Sequence, residues 1–343
     1  MKRILFRADA NPAIGTGDLT SLVYLADTFR KDGWEPHFLV RRYEASLALC
    51  RKYGLENVAE LDAQASLDQE QALLRSLVED RGLDALFFEI TERPLSHFQE
   101  LVDDLRGKVF KGCVCFDGAL PRGMDLVLDW DVAAQGFFNP GEHPGTTFLL
   151  GPQYVFLPPE FDMDRVARRS YRPRVERVLV SMGGADELDF TRKAAEVLAR
   201  LGVDAEFRFV LGAAYGGRDG LEHFLEGSGV RYSLAVDVRD MFLEYMACDF
   251  AVGAGGLTAS ELVASGTPCA LVALYEHQEA RCVRFGQMGL ATYLGFRDLH
   301  GERLFRALTE AHPPAEAIPF VGKTTVLNHL NRAVRTTGGL HGK

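Results

Sequence analysis

Short apolar runs separated by amphipathic stretches recur through the first half of the chain. Residues 4–6, 36–40, 58–61, 85–88, 109–116 and 126–128 are compact apolar segments that carry few charges. Runs of this length, without strict alternation of polar and apolar positions, suit strands covered on both faces. Between them the pattern predicts helices over 18–31, 44–53, 67–81 and 95–105, the first of them stopped by Gly33. Regular alternation of strand and helix in one chain means a parallel, doubly wound sheet, whose ligands bind outside the carboxyl ends of the strands.

From Gly151 to Arg174 the pattern breaks. Pro152, Pro158, Pro159 and Pro173 punctuate a stretch containing Arg165, Arg168, Arg169, Arg172 and Arg174, and residues 156–174 are read as a linker with a solvated basic face. The alternation then restarts. Strands are expected at 175–182, 206–211, 232–235, 250–252 and 269–274, and helices at 188–201, 238–246, 257–265, 279–288, 302–311 and 324–337. The fold class is therefore α/β, with two Rossmann-like doubly wound domains over residues 1–155 and 175–343 and a cleft expected between them. The last helix is expected to pack back on the first domain.

Composition narrows the function. The chain has 343 residues, 47% of them hydrophobic and 25% charged, enough for two full cores. A net charge of −10 argues against a broad nucleic-acid surface. No apolar run reaches membrane-spanning length, and the start does not have the form of a signal peptide, so a cytoplasmic protein is expected. The 6 cysteines have no zinc-ligand spacing, and Cys113 and Cys115 should point to one face of a strand as reduced, buried thiols.

Two stretches carry candidate chemistry. The first is DFAVGAGGLTASELVASGTPCALVALYEHQ, from Asp249 to Gln278. Its strand, its glycine turn (Gly253, Gly255, Gly256) and the following helix suit a phosphate or diphosphate, because glycines permit close backbone approach and the helix N-terminus is partly positive. Tight packing of helix on strand selects the same glycines. Glu261, about one turn into that helix, can accept hydrogen bonds from ribose hydroxyls. The second stretch is Arg7-Ala-Asp9 followed by Ile14-Gly15-Thr16-Gly17-Asp18. Asp18 near a helix start reads either as a cap, bonded to the amides of Thr20 or Ser21, or as a general base. Asp129-Trp-Asp131 has the D-x-D form of a metal and nucleotide-sugar site but stands in the wrong setting, and His143, His223 and His277 lack metal-ligand spacing. No metal and no cofactor is implied.

The run GGLTASE, then SGTP, a strand and Gln278 resembles the nucleotide-binding half of the GT-B enzymes that handle UDP-sugars. Two families are similar: the UDP-sugar hydrolase of pseudaminic acid biosynthesis with its spore-coat polysaccharide relatives, and the N-acetylglucosaminyltransferase that completes the lipid-linked peptidoglycan precursor. Ser181-Met182-Gly183-Gly184-Ala185-Asp186 resembles the first glycine turn of that nucleotide domain, so amides of Gly183 and Gly184 should face the diphosphate. The resemblance gives Val238 a backbone contact to uracil with Met241 beside it. It also places Gly255, Gly256, Leu257 and Thr258 in the phosphate turn, Glu261 on the ribose and Gln278 near the sugar. In the N-terminal half Arg7, Asp9, Ile14, Gly15 and Gly17 match the hydrolase form R-x-D…I-G-x-G-H, with Asp18 in the place of its histidine. The hydrolase's Asp-His-Tyr-Gly run is replaced by Glu89-Ile90-Thr91-Glu92, with no tyrosine.

The resemblance implies a UDP-sugar partner, a catalytic role for Asp18 with Asp9 in reserve, and substrate contacts from Arg7, Gly15, Thr16 and Gly17. The first expectation is a UDP-sugar hydrolase that inverts at the sugar carbon in surface-glycan biosynthesis. The alternatives are an inverting glycosyltransferase and a UDP-sugar-binding protein without catalysis.

Overall fold

The computed structural model describes residues 1–11, 14–89, 94–116, 118–131, 134–313, 318 and 320–337. The chain divides into two compact units, Met1–Pro159 with Phe320–Lys343, and Glu160–Pro319.

In the N-terminal unit the chain runs β1 (Arg3–Arg7), α1 (Gly17–Lys31), β2 (Glu35–Arg41), α2 (Glu44–Lys52), β3 (Val58–Leu61), α3 (Leu67–Asp80) and β4 (Ala85–Glu89). It continues through α4 (Leu95–Asp104), β5 (Phe110–Val114), β6 (Leu126–Asp129) and β7 (Thr147–Leu150). Seven parallel strands lie in the order β3-β2-β1-β4-β5-β6-β7. The central strands are apolar because helices cover both faces of the sheet. Phe6 packs on Phe29, Phe38 and Phe87 with ring centroids 5.5 to 6.4 Å apart. Gly112 on β5 makes room for Phe87, since a Cβ there would lie 2.4 Å from its ring.

One polar cluster interrupts this core at the carboxyl ends of β1 and β2. Arg7 donates to both oxygens of Asp9 at 2.7 and 2.8 Å and, through Nε, to Glu70 at 2.7 Å. Arg41 donates to the other Glu70 oxygen at 2.8 Å, and its backbone N–H to Asp9 at 2.6 Å. Arg7 and Glu70 are 1% exposed. Buried charges persist only when paired and hydrogen-bonded throughout, and these four groups supply that pairing to one another.

The C-terminal unit begins with α5 (Met163–Ala167), β8 (Arg177–Ser181), α6 (Phe190–Leu201), β9 (Glu206–Leu211), α7 (Arg218–Ser228) and β10 (Arg231–Val236). Then come α8 (Met241–Ala247), β11 (Phe250–Ala254), α9 (Leu257–Ala264), β12 (Cys269–Ala273), α10 (Glu276–Gln287), β13 (Thr292–Phe296) and α11 (Gly301–Thr309). Its six strands lie in the order β10-β9-β8-β11-β12-β13, again parallel. The last helix, α12 (Gly322–Thr337), belongs to the N-terminal unit. There Val326 and Leu330 are fully buried, and Asn331 accepts from Lys2 and from the Trp34 indole while donating to Asp32.

Several expectations are corrected. Strands β7 and β13 and helix α7 are additional elements, and the helix expected from 238 starts at Met241, where Asp240 caps it by accepting from the Leu243 amide at 3.1 Å. The stretch 156–174 is divided between the two units, and its Arg165, Arg168, Arg172 and Arg174 are exposed as expected while Arg169 is not. Phe156 is buried against Phe87 and Trp130 in the N-terminal unit, and the second unit already begins at Glu160. Arg169 clamps that unit's start by donating to Ser265 O, Thr267 Oγ1 and Cys248 O at 3.1, 2.8 and 2.6 Å.

Replacing Glu70 by Ala leaves two buried guanidinium groups short of an acceptor. Urea unfolding should show a loss of about 3–5 kcal/mol, the cost of breaking a buried ion pair on one side.

Candidate functional site

Each sheet has one place where its strand order reverses. In the C-terminal unit β8 leads outward to β9 and β10 on one side, and β11 leads to β12 and β13 on the other. The connections after β8 and β11 therefore depart to opposite faces and leave a crevice at the carboxyl ends, the preferred ligand position of such sheets. Gly183-Gly184 and Gly255-Gly256 stand there. Gly183 has φ +92°, a conformation costly for any residue with a Cβ, and a Cβ on the neighbouring Gly212 would lie 2.0 Å from Gly184 O.

The two glycine turns do different work. The Asp186 carboxylate accepts from the amides of Phe190 and Thr191 at 2.9 and 2.7 Å, so the N-terminus of α6 already holds an anion. Helix α9 has no such cap. Gly256 opens it without a side-chain hydrogen bond, and the first amides of a helix have no partner within it. The backbone of Gly256, Leu257 and Thr258 thus opens α9 with no side-chain cap. Gly255 is corrected from ligand contact to packing: its N–H goes to Val272 O at 2.9 Å, and a Cβ would lie 2.4 Å from Cys282 Sγ.

Glu261 sits one turn into α9, and its Oε2 accepts from Tyr245 Oη at 2.7 Å. Burial pushes its carboxyl up to about 7, against the Tyr245 hydrogen bond and with help from the Glu160 charge. Gln278 is also turned inward. Its Oε1 accepts from the Leu274 amide at 3.0 Å while its Nε2 lies beside Gly256, so it braces the turn rather than extending outward. Three residues along α10, Arg281 is 7% exposed and donates to Gly255 O at 3.2 Å. The sequence reading does not single out this cation behind the Gly255-Gly256 turn, although its i, i+3 spacing from Gln278 puts both on one helix face. Val238 and Met241 are half-buried at the far end of β10 and the start of α8.

In the N-terminal unit the reversal lies between β1 and β4. Arg7 and Asp9 are at this place, but their polar groups are occupied by each other, Glu70 and Arg41. Arg7 as a substrate contact and Asp9 as reserve base give way to a structural role. Gly15, at φ +76°, exchanges both backbone hydrogen bonds with Asn11. Thr16 opens α1 without a side-chain cap, Gly17 begins the helix, and the Thr20 amide bonds to Thr16 O. Asp18 is therefore not the cap but lies in the first turn, half-buried.

Its charge acts on Glu89, the last residue of β4. Glu89 is 3% exposed, and no N–H or O–H of a described residue reaches either of its oxygens. Burial, then the charge of Asp18, raises the Glu89 carboxyl well above the usual range. The sequence signal for Glu89 was one acid ending an otherwise apolar strand, ALFFE. Ile90, Thr91 and Glu92, in the place of the hydrolase's histidine-tyrosine run, lie outside the described residues.

Elsewhere, Asp129 and Asp131 are both buried, and Asp129 Oδ1 accepts from the Asp131 amide at 2.7 Å. Among the described residues no group of three or more His, Cys, Asp or Glu could hold a metal ion, and no helix is long and apolar enough to cross a membrane. Two surface depressions of about 360 and 440 Å³ in the C-terminal unit contain none of these site residues.

No protein-family model matches the chain. Over 243 residues it is 26% identical to the spore coat polysaccharide biosynthesis protein SpsG of Bacillus subtilis (strain 168), covering 68% of each protein. The solved structure of Acinetobacter baumannii MurG matches 97% of this chain and 100% of its own, with a TM-score of 0.64 and 13% identity. The fold is GT-B. The same GT-B arrangement relates it to S. aureus MnaA solved with UDP, at TM-score 0.61 and 13% identity over 98% of this chain and 97% of that one. It also relates it to the spinosyn rhamnosyltransferase SpnG complexed with thymidine diphosphate, at 0.58 and 16% over 98% and 96%.

Two measurements check this site. Gly255→Ala forces a Cβ against Cys282 and should destabilise the protein by about 1–3 kcal/mol in thermal or urea unfolding, whereas Gly256→Ala, whose Cβ meets only Gln278 Nε2 at 3.6 Å, should be far milder. Glu261, raised from 4.5 to about 7, binds more protons folded than unfolded across that window. Its contribution to stability therefore falls as pH rises from 4.5 through about 7 and is constant above, and Glu261→Gln should flatten that part of the pH–stability curve.

Proposed function

We propose that this protein is a glycosyltransferase that takes its sugar from a nucleotide diphosphate, with uridine as the nucleoside, in the assembly of a surface polysaccharide. The observation that carries the reading is α9: an uncapped N-terminus at the strand reversal, with the buried, Tyr245-bonded Glu261 one turn inside it. In this reading the amides of Gly256, Leu257 and Thr258 hold the diphosphate, backed by Arg281, and Glu261 receives the ribose hydroxyls. Val238 offers backbone groups to the base, with Met241 beside it.

Hydrolysis, the first expectation, gives way to transfer. The N-terminal unit has Asp18 where the hydrolase resemblance requires histidine, and the likenesses to SpsG and to solved glycosyltransferases support a sugar acceptor over water. The acceptor hydroxyl oxygen attacks the anomeric carbon opposite the diphosphate. The carbon–oxygen bond to phosphate breaks with its electron pair leaving on the diphosphate, the configuration inverts, and the acceptor proton passes to Asp18.

UDP release followed with and without sugar acceptors tests the reading. Release should depend on acceptor, and Asp18→Asn should lower it about a hundredfold or more while calorimetry shows UDP affinity unchanged. Glu261→Ala should instead weaken UDP binding. Release at the same rate without acceptor would return the assignment to hydrolysis. No release above a no-enzyme control over a broad donor and acceptor panel would leave a binding protein.

A further inference from the structure

Glu261 is the one acid in α9, a helix whose other side chains are aliphatic or carry only a hydroxyl. It is 6% exposed, and among the described residues Tyr245 is its hydrogen-bond donor, with Oη 2.7 Å from Oε2. Resting on the nucleotide-binding reading, we propose that Tyr245 is a positioning residue of the nucleoside site. Its hydroxyl fixes one Glu261 oxygen, presents the carboxylate to both ribose hydroxyls, and so makes the site favour a ribonucleoside over its 2′-deoxy form.

Tyr245 acts only through Glu261, because it is fully buried and out of reach of a ligand in the crevice. It is held at both ends. Its ring packs on Phe161 with centroids 6.2 Å apart, and its carbonyl oxygen accepts from Cys248 Sγ at 3.2 Å and Thr267 Oγ1 at 3.3 Å. The hydroxyl therefore meets Glu261 from one fixed direction. A carboxylate has about four acceptor positions. Tyr245 uses one, and two neighbouring ribose hydroxyls can share the others, whereas a 2′-deoxyribose brings one hydroxyl fewer.

The contact also governs the charge of the acid. The groups facing Glu261 are Tyr245 from α8 and Glu160 at the start of the unit. Burial pushes the carboxyl up to about 7, the Tyr245 hydrogen bond opposes that rise, and Glu160 adds to it. Hydroxyl donors bond more strongly to an ionised carboxylate than to a neutral acid. Without the tyrosine hydroxyl, burial and Glu160 act unopposed, and the acceptor that ribose needs is lost at neutral pH.

Tyr245→Phe keeps the ring and removes the hydroxyl, and calorimetry with UDP and 2′-deoxyUDP reads the effect. At neutral pH the variant should bind UDP about tenfold more weakly, the worth of a hydrogen bond to a charged group. Its loss on 2′-deoxyUDP should be clearly smaller, and its gap to wild type on UDP should narrow as pH rises and Glu261 ionises. Equal losses on both nucleotides, or a gap that does not change with pH, overturn the positioning role. Urea unfolding needs no nucleotide. The stability difference between Tyr245→Phe and wild type should widen as pH rises above about 7, where the folded wild type has lost the Glu261 proton and the folded variant still holds it. In a Glu261→Gln background the same substitution should show no such widening. A difference constant with pH, or one that persists in that background, overturns the pair whatever becomes of the nucleotide reading. Widening curves from a wild-type protein that binds neither nucleotide would sink the nucleotide reading and the ribose role with it, and leave Tyr245–Glu261 a structural hydrogen bond.

Discussion

A parallel sheet that reverses its strand order cannot close the gap between its two central strands, because the connections that would cover it leave toward opposite faces. Both units of this protein obey that constraint, between β1 and β4 and between β8 and β11. Every residue argued to act on a ligand lies at or near the carboxyl end of one of these sheets. Backbone that ends in such a gap has N–H and C=O groups to satisfy, and the two units satisfy them by different means.

The C-terminal unit uses small residues and a bare helix end. Gly212 and Gly255 let the Gly184 backbone and α10 approach within distances that no Cβ allows, Gly253 does the same for Leu262 of α9, and α9 opens without a side-chain cap. The N-terminal unit uses charge. Its two buried arginines pair with two buried acids, Asp9 and Glu70, and the four neutralise one another.

Much of this was legible beforehand. The alternation of apolar runs and amphipathic stretches located most strands and helices because a doubly covered sheet imposes it. The glycine turns, the placement of Glu261 and the position of Asp18 followed from local spacing. What escaped had weaker local signals. Strand β13 is a partly exposed edge strand, β7 is four residues between Gly145 and Gly151, and α7 contains Gly220 and Gly227. Partnership was the larger blind spot. Arg7 and Asp9 matched a motif but are engaged by Glu70 and Arg41, far off in sequence. The arginine-rich stretch is solvated at Arg165, Arg168, Arg172 and Arg174, but Arg169 reaches three acceptors far off in sequence. Glu89 drew notice only once the fold buried it at the end of β4.

The return of α12 bears on how the protein is made. The C-terminal unit is threaded between two pieces of the N-terminal unit. A ribosome therefore delivers β1 through β7, then an entire second domain, before the helix that covers Lys2, Trp34 and Asp32 emerges. Domains otherwise tend to complete in order of synthesis. Here the first unit must wait with one flank of its core uncovered while the second, which depends on nothing later in the chain, is free to finish first. Order of maturation is thereby reversed relative to order of translation, and the nascent N-terminal unit is the stage at which a chaperone has most to protect.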